Sequence, residues 1–268
     1  MGIRMVQRAQ AAGAVATLVL AAAVASGCGG AGAATADDAR VADNPPDVIE
    51  GSADLTNSRP AKPEVLELAK GGHPTVFVKI KKKVDLYDTP DGKVVETVDH
   101  ATEFGSRTVF AVREQRGDWI SVPTAFTENG ELLWLRLDPT RLRAGRTNWE
   151  VEVDLSDYRA DLILKGKTVR SFSVTIGMPG APTPTGRFAV TDTFRGGLNP
   201  AYGCCAVALT ARQSKLPSGW LGGDRIAFHG TDGPLSAALS HGCVRASDED
   251  VSELVDRVPP GTPVTIRQ

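Results

Sequence analysis

The chain of 268 residues has no long apolar run, no extended basic block, and few sulfur or imidazole side chains. Its main apolar stretch, Ala11 to Ala25, is too short for a membrane-spanning helix, which needs about 20 residues. Arg4 and Arg8 precede it, the layout of a secretory signal. Basic residues gather only at Lys79 to Lys83, and 30 Lys and Arg against 32 Asp and Glu give a formal charge of −2, so nucleic acid is not an expected partner. Four cysteines and four histidines show no familiar zinc spacing, so neither a metal nor another cofactor is expected.

The apolar run ends in Ala25-Ser26-Gly27-Cys28, which resembles a bacterial lipobox whose cysteine becomes the lipid-bearing first residue of the mature chain. Ala25 departs from the leucine usual at that position. The alternative is an ordinary cleaved signal, and both readings export the protein. Residues 1–27 hold two arginines and no acids; without them 28 basic residues face 32 acids, a formal charge of −4. Residues 28–70 are rich in Ala, Gly, Asp and Pro and nearly free of large apolar side chains up to Pro63, so they read as a flexible tether, with a helical turn or two at Pro63 to Lys70.

Residues 71–146 read as β-structure. Val76 to Ile80, Val84 to Tyr87, Val94 to Val98, Thr108 to Val112, Trp119 to Val122 and Leu132 to Leu135 are short β-rich runs, punctuated by turn signals at Asp88 to Gly92, Arg116 to Asp118 and Glu128 to Gly130. Many short strands in so few residues fit a small barrel. The order Leu-Tyr-Asp-Thr-Pro-Asp-Gly followed by Gly-Asp-Trp-Ile-Ser-Val resembles a bacterial SH3-like domain. Lys79 to Lys83 reads as the solvated face of an edge strand. Trp119 and Trp134 are assigned to core packing, with a ligand platform as the alternative.

Residues 147–268 alternate strands and turns before one helix. Trp149 to Leu155 alternates as a half-buried strand does, Asp161 to Leu164 and Val169 to Ile176 flank a Lys-Gly-Lys turn, and Gly186 to Val190 and Arg225 to Phe228 add strands. Ser247 to Asp250 supplies an N-cap and first-turn acids, Val251, Leu254, Val255 and Val258 form one apolar stripe, and Pro259-Pro260-Gly261 stops the helix before a last strand at Pro263 to Ile266. The fold class is therefore mostly β, with one main C-terminal helix.

Chemistry concentrates in Ser240-His241-Gly242-Cys243-Val244-Arg245, with His229-Gly230-Thr231 shortly upstream. A thiol becomes a neutral-pH nucleophile only beside imidazole or cationic groups, and here two imidazoles and an arginine lie within a few residues. Cys204 and Cys205 are adjacent; the sequence leaves a vicinal disulfide and two reduced thiols equally open, and a bond from either to Cys243 would disable the nucleophile.

Val153-Asp154-Leu155, Ile176-Gly177, Thr183-Pro184-Thr185-Gly186-Arg187-Phe188, His229-Gly230-Thr231 and Ser240-His241-Gly242-Cys243-Val244-Arg245 together resemble the YkuD-type L,D-transpeptidase catalytic domain. Two departures are visible: residues 230–239 form a shorter spacer than the family's usual one, and Ala246 follows the arginine where Met or Leu is familiar. The resemblance implies a β-rich catalytic domain that attacks the amide between the third and fourth residues of a tetrapeptide stem, releases D-alanine, and passes the acyl group to a second stem as a 3→3 cross-link. It implies Cys243 as nucleophile and His229 as general base and acid, with a carbonyl near Gly230 orienting the ring. Ser240, Gly242 and Cys243 form the oxyanion region, with the Gly242 and Cys243 amides as donors. His241 bonds backbone or substrate, Arg245 meets a substrate carboxylate or a loop carbonyl, and Tyr202 lies in a loop near the cleft. Implied partners are peptidoglycan stems as donor and acceptor, carbapenem β-lactams as covalent inhibitors, and the outer face of the cytoplasmic membrane through a lipid on Cys28. Two other functions use the same residues differently: an L,D-carboxypeptidase or hydrolase with water as acceptor, and a non-catalytic cell-wall binding or scaffold protein.

Overall fold

The computed structural model describes residues 74–216, 218 and 223–268. The expected signal (1–27), the expected lipidation residue Cys28, the expected tether (28–70) and Trp220 lie outside the described residues.

Eight strands come first: β1 (Thr75–Ile80), β2 (Val84–Tyr87), β3 (Val94–Val98), β4 (Val109–Ala111), β5 (Glu114–Arg116), β6 (Trp119–Pro123), β7 (Leu132–Arg136) and β8 (Leu142–Thr147). They build a three-stranded sheet in the order β4-β1-β8 and a five-stranded sheet in the order β3-β2-β7-β6-β5. Both contribute to one core that includes Val78, Ile80, Leu86, Ile120, Leu135 and Leu142. Trp119 and Trp134 are buried, and Trp119 meets the Tyr87 ring edge to face at 5.0 Å, so both tryptophans pack rather than form an open platform.

The lysine run departs from its expected setting. β1 is the middle strand of its sheet, paired with β4 on one side and with β8 over six residues on the other, so Lys79 is only 8% exposed. Only Lys81, Lys82 and Lys83, in the turn after β1, are exposed. The reason is β8: its sequence, Leu-Arg-Ala-Gly-Arg-Thr, offers little β-branched signal, yet it covers the edge that the lysines were expected to protect.

The second half comprises β9 (Trp149–Asp154), β10 (Arg159–Leu164), β11 (Lys167–Ser173), β12 (Thr175–Gly177), β13 (Gly186–Phe194), β14 (Ala206–Arg212), β15 (Arg225–Gly230), β16 (Ala237–Ser240), β17 (Val244–Ala246), the helix α1 (Asp248–Arg257) and β18 (Pro263–Arg267). These strands form one ten-stranded sheet, ordered β11-β10-β9-β18-β13-β14-β15-β17-β12-β16. β13 makes that continuity possible: Gly186 to Ala189 pair with β18, and Val190 to Phe194 pair with β14. The fold class is mostly β with one α-helix among the described residues, as the sequence predicts.

The helix shows why its boundaries were legible. Ser247 Oγ accepts the Asp250 N–H at 3.1 Å, Asp248, Glu249 and Asp250 sit in the positive first turn, and Arg257 sits in the last. Val251, Leu254, Val255 and Val258 are at most 2% exposed and join the core of Val151, Leu162, Leu209 and Phe228. Arg170 of β11 donates to Asp250 Oδ1 at 2.8 Å, fixing the helix start against the sheet.

Polar contacts tie the two halves together. Asn129 brackets the Arg212 peptide, donating to its carbonyl at 2.6 Å and accepting its N–H at 2.9 Å, while Arg212 also donates to Ala125 O at 2.9 Å. Glu103 pairs with Arg225, and Thr102 Oγ1 donates to the buried Asp192 at 2.6 Å.

Truncating Leu254 to alanine removes a fully buried side chain between α1 and the sheet and is expected to destabilise the fold by about 2–5 kcal/mol. Removing the partly exposed Glu253, paired with Arg257 one turn away, costs less than about 1 kcal/mol. Urea unfolding of both variants checks this contrast; equal midpoints would contradict the packing assigned to α1.

Candidate active site

The site is built on two neighbouring parallel strands. Phe228 faces Val244 and His229 faces Arg245 across β15 and β17, which places Cys243 opposite Ala227, one step before β17 begins. Side chains alternate along a strand, so Ala227 and His229 share one face of the sheet while Phe228 turns to the other. On the neighbouring strand Cys243 and Arg245 share a face and Val244 turns away; Phe228 and Val244 are fully buried in the core. His229, Cys243, Arg245, His241 and Tyr202 all line one cavity of about 220 Å³.

His229 is 3% exposed, and its Nδ1 lies 2.9 Å from Gly230 O. A carbonyl can only accept, so Nδ1 carries the proton and Nε2 presents a lone pair. Burial holds the imidazole pKa below its ordinary value; the Gly230 bond works in the opposite direction, and the Arg245 charge adds to the lowering. The ring is therefore neutral at neutral pH. The Tyr202 ring meets it edge to face at 5.0 Å.

Cys243 is the free cysteine among the described residues, because Cys204 and Cys205 are bonded to each other. Packed surroundings push its thiol pKa up, while the Ala227 backbone and the Arg245 charge pull it down. Its Sγ lies 3.9 Å from Arg225 O, a contact rather than a strong hydrogen bond. The resting pair is thus a thiol beside a neutral imidazole. Such a pair can deliver a thiolate when a substrate arrives, with the proton passing to Nε2.

The turn that carries Cys243 is held from behind by Gln213 and Thr183. Gln213, 6% exposed, donates to His241 O at 3.1 Å and to Pro182 O at 2.9 Å. Thr183 Oγ1 donates to Gly242 O at 2.8 Å and accepts the Gly177 N–H at 2.9 Å. In a trans peptide the N–H points opposite to the C=O. Fixing the His241 carbonyl therefore sends the Gly242 N–H to Ser240 Oγ, 3.0 Å away, and fixing the Gly242 carbonyl turns the Cys243 N–H away from Thr183. Gly242 has φ +116, a conformation that L side chains rarely adopt.

This corrects one expectation. The Gly242 amide is not directed at substrate, since Ser240 Oγ accepts it and in turn donates to Cys243 O at 2.6 Å. Ser240 closes the turn rather than meeting a ligand. Gly230 O lies against the His229 ring nitrogen, and Tyr202 lies on the cavity wall. The Arg245 Nε is buried without a hydrogen-bond partner. Asp224 lines the cavity and pairs with Arg212. Thr183 lies inside a recognisable Thr-Pro-Thr-Gly stretch and was legible as part of it. Gln213 carried no signal, because only the fold brings it behind the turn. Among the described residues no group of three His, Cys, Asp or Glu side chains is set to hold a metal.

Residues 148–266 match the YkuD family model, described as the L,D-transpeptidase catalytic domain. The chain is similar to the "Putative L,D-transpeptidase YkuD" of Bacillus subtilis (strain 168), 28% identical over 122 residues that cover 45% of this chain and 66% of that protein. It is 27% identical over 120 residues to the protein of the same name from Bacillus licheniformis, covering 44% of this chain and 65% of that one. The chain spans just under two thirds of the length of these curated relatives. Among solved structures, the L,D-transpeptidase (residues 123–326) from Xylanimonas cellulosilytica DSM 15894 is 26% identical, with a TM-score of 0.35 over 45% of this chain and 60% of that chain.

Because burial raises the Cys243 pKa, its alkylation by iodoacetamide is expected to stay slow at neutral pH and to rise with an inflexion above that of an ordinary cysteine. Arg245→Gln removes a charge that favours the thiolate and moves the inflexion higher still. Intact-mass kinetics read both; an inflexion at or below neutral pH would instead mean a resting thiolate–imidazolium pair.

Proposed function

We propose that this chain is a peptidoglycan L,D-transpeptidase in which Cys243 is the nucleophile and His229 the proton carrier. The observation that carries the reading is their placement on one face of β15 and β17, in one cavity, within the segment that matches the L,D-transpeptidase catalytic domain.

The steps follow from the groups present. A tetrapeptide stem enters with its third residue's carbonyl at Cys243. His229 Nε2 takes the thiol proton as sulfur attacks the carbonyl carbon, and the Cys243 N–H stabilises the oxyanion. The imidazolium then protonates the leaving nitrogen of D-alanine, and the C–N bond breaks to leave a thioester. An amine from a second stem displaces sulfur, giving up its proton to His229, and the 3→3 amide forms with the thiol regenerated. Arg245, which lines the cavity, suits a substrate carboxylate. A carbapenem carbonyl is open to the same sulfur attack, which makes this β-lactam class a covalent inhibitor.

The reading places the enzyme outside the cytoplasmic membrane, lipid-anchored at Cys28, with residues 28–70 as a tether and an SH3-like domain between tether and catalytic domain. Palmitate labelling that survives Cys28→Ala would remove the anchor from this account.

With tetrapeptide stems as substrate, Cys243→Ala is expected to abolish both D-alanine release and 3→3 dimers, and His229→Gln to lower turnover by about 10²–10⁴-fold. Muropeptide chromatography with mass spectrometry checks both and reads the acceptor. Dimers that persist in Cys243→Ala would overturn the nucleophile assignment; D-alanine release without dimers would show that water is the acceptor.

A further inference from the structure

We propose that Asp248 is a positioning residue for His229: its carboxylate holds the Gly203-Cys204 backbone against Gly230, whose carbonyl sets the direction of the imidazole. The proposal rests on the assignment of His229 as the proton carrier.

Three chain segments meet behind the imidazole, with the Asp248 carboxylate packed between them. Asp248 Oδ1 accepts the Cys204 N–H at 3.1 Å. A β-carbon on Gly230 would overlap that same oxygen, and one on Gly203 would lie 2.5 Å from it and 2.6 Å from Gly230 Cα. Gly203 also has φ +64, which glycine adopts without strain. The Gly230 peptide is therefore clamped between Gly203 and the first residue of α1, and its N–H bonds Cys205 O at 3.3 Å.

The clamp reaches the reacting group by two routes. Gly230 O accepts the His229 Nδ1–H at 2.9 Å, so a shift of that carbonyl turns the ring. Tyr202, the residue before Gly203, packs its ring edge to face on the imidazole at 5.0 Å, so a shift of Gly203 loosens the ring from the other side. Asp248 itself touches neither the imidazole nor the cavity, and acts only through these two neighbours. The cap of α1 fixes Asp248 in place, through Ser247 and Asp250, and Arg170 ties that cap to β11.

Titratable or charged groups around His229 are Tyr202, Cys243 and Arg245, with His241, Asp224 and Arg225 on the same cavity wall and Asp248 behind Gly230. The Gly230 bond is the contribution that raises the imidazole pKa against burial and Arg245. Losing it lowers the pKa further, and the acid limb of the rate profile moves to lower pH as the maximal rate falls.

The test uses the full chain with Asp248→Ala, Asp248→Asn and, as a control for charge in the same helical turn, Glu249→Ala. Carbapenem acylation is followed by intact mass across pH, and His229 titration by NMR. Asp248→Ala is expected to lower the maximal acylation rate at least about tenfold and to move the His229 midpoint down in pH. Asp248→Asn, which keeps an acceptor oxygen, restores both, and Glu249→Ala leaves both native. Should the alanine variant melt early, Asp248→Glu replaces it, since it keeps the charge and displaces the oxygen. Native rate and native midpoint in the alanine or glutamate variant overturn the proposal, as does an asparagine variant that melts normally yet matches alanine. If the unmutated chain is not acylated, the transpeptidase reading fails, and the His229 midpoints alone decide the role of Asp248.

Discussion

The parallel pairing of β15 with β17 is the constraint on which the site depends. It is one of the few parallel contacts in a largely antiparallel sheet, and it brings together two segments separated by a loop, a short strand and a tight turn. Had the register slipped by one residue, His229 would share a face with Val244 and the thiol would be left alone. Phe228 and Val244, both fully buried opposite each other, oppose such a slip, since it would bring a polar side chain into the core. The hydrophobic core thus sets the geometry of a polar site on the other face.

On that platform the chemistry is set by burial rather than by charge pairing. Among the described residues no carboxylate bonds the imidazole directly; a peptide carbonyl fixes its tautomer instead. A neutral orienting group leaves the imidazole a weaker base than an acid would, and burial weakens it again. Burial also keeps the thiol protonated, so neither member of the pair is charged before substrate arrives. In the proposed reaction charge appears only as the thiol gives up its proton, where the Arg245 charge favours the thiolate. Backbone groups carry much of this work, which explains the density of glycines around the site and the buried Thr183 and Gln213 behind it.

How much of this was legible in the sequence follows from how local each signal is. The helix was readable because cap, acids, apolar stripe and proline stop lie within a few residues of one another. The Ser-His-Gly-Cys stretch and His229 were readable because the reactive types cluster in the chain. β8 was not, because its strand identity comes from pairing with β1 across more than sixty residues, and that pairing also buried Lys79. Gln213 and Asp248 carry no local sign of their roles; only the fold shows that one holds the His241 carbonyl and the other the Cys204 amide. The Gly242 amide was assigned to substrate from its neighbours in sequence, and the direction of a peptide is set by what binds its carbonyl, here Gln213 and Thr183.

The central claim is that Cys243 becomes an acyl carrier through the neutral imidazole of His229. Its most direct test is to trap the acyl-enzyme with a carbapenem and map the adduct by peptide mass spectrometry, in the unmutated chain and in His229→Gln. One adduct is expected, on the peptide containing Cys243, formed much more slowly in His229→Gln at neutral pH. An adduct elsewhere, or an equal rate in the two proteins, would contradict it.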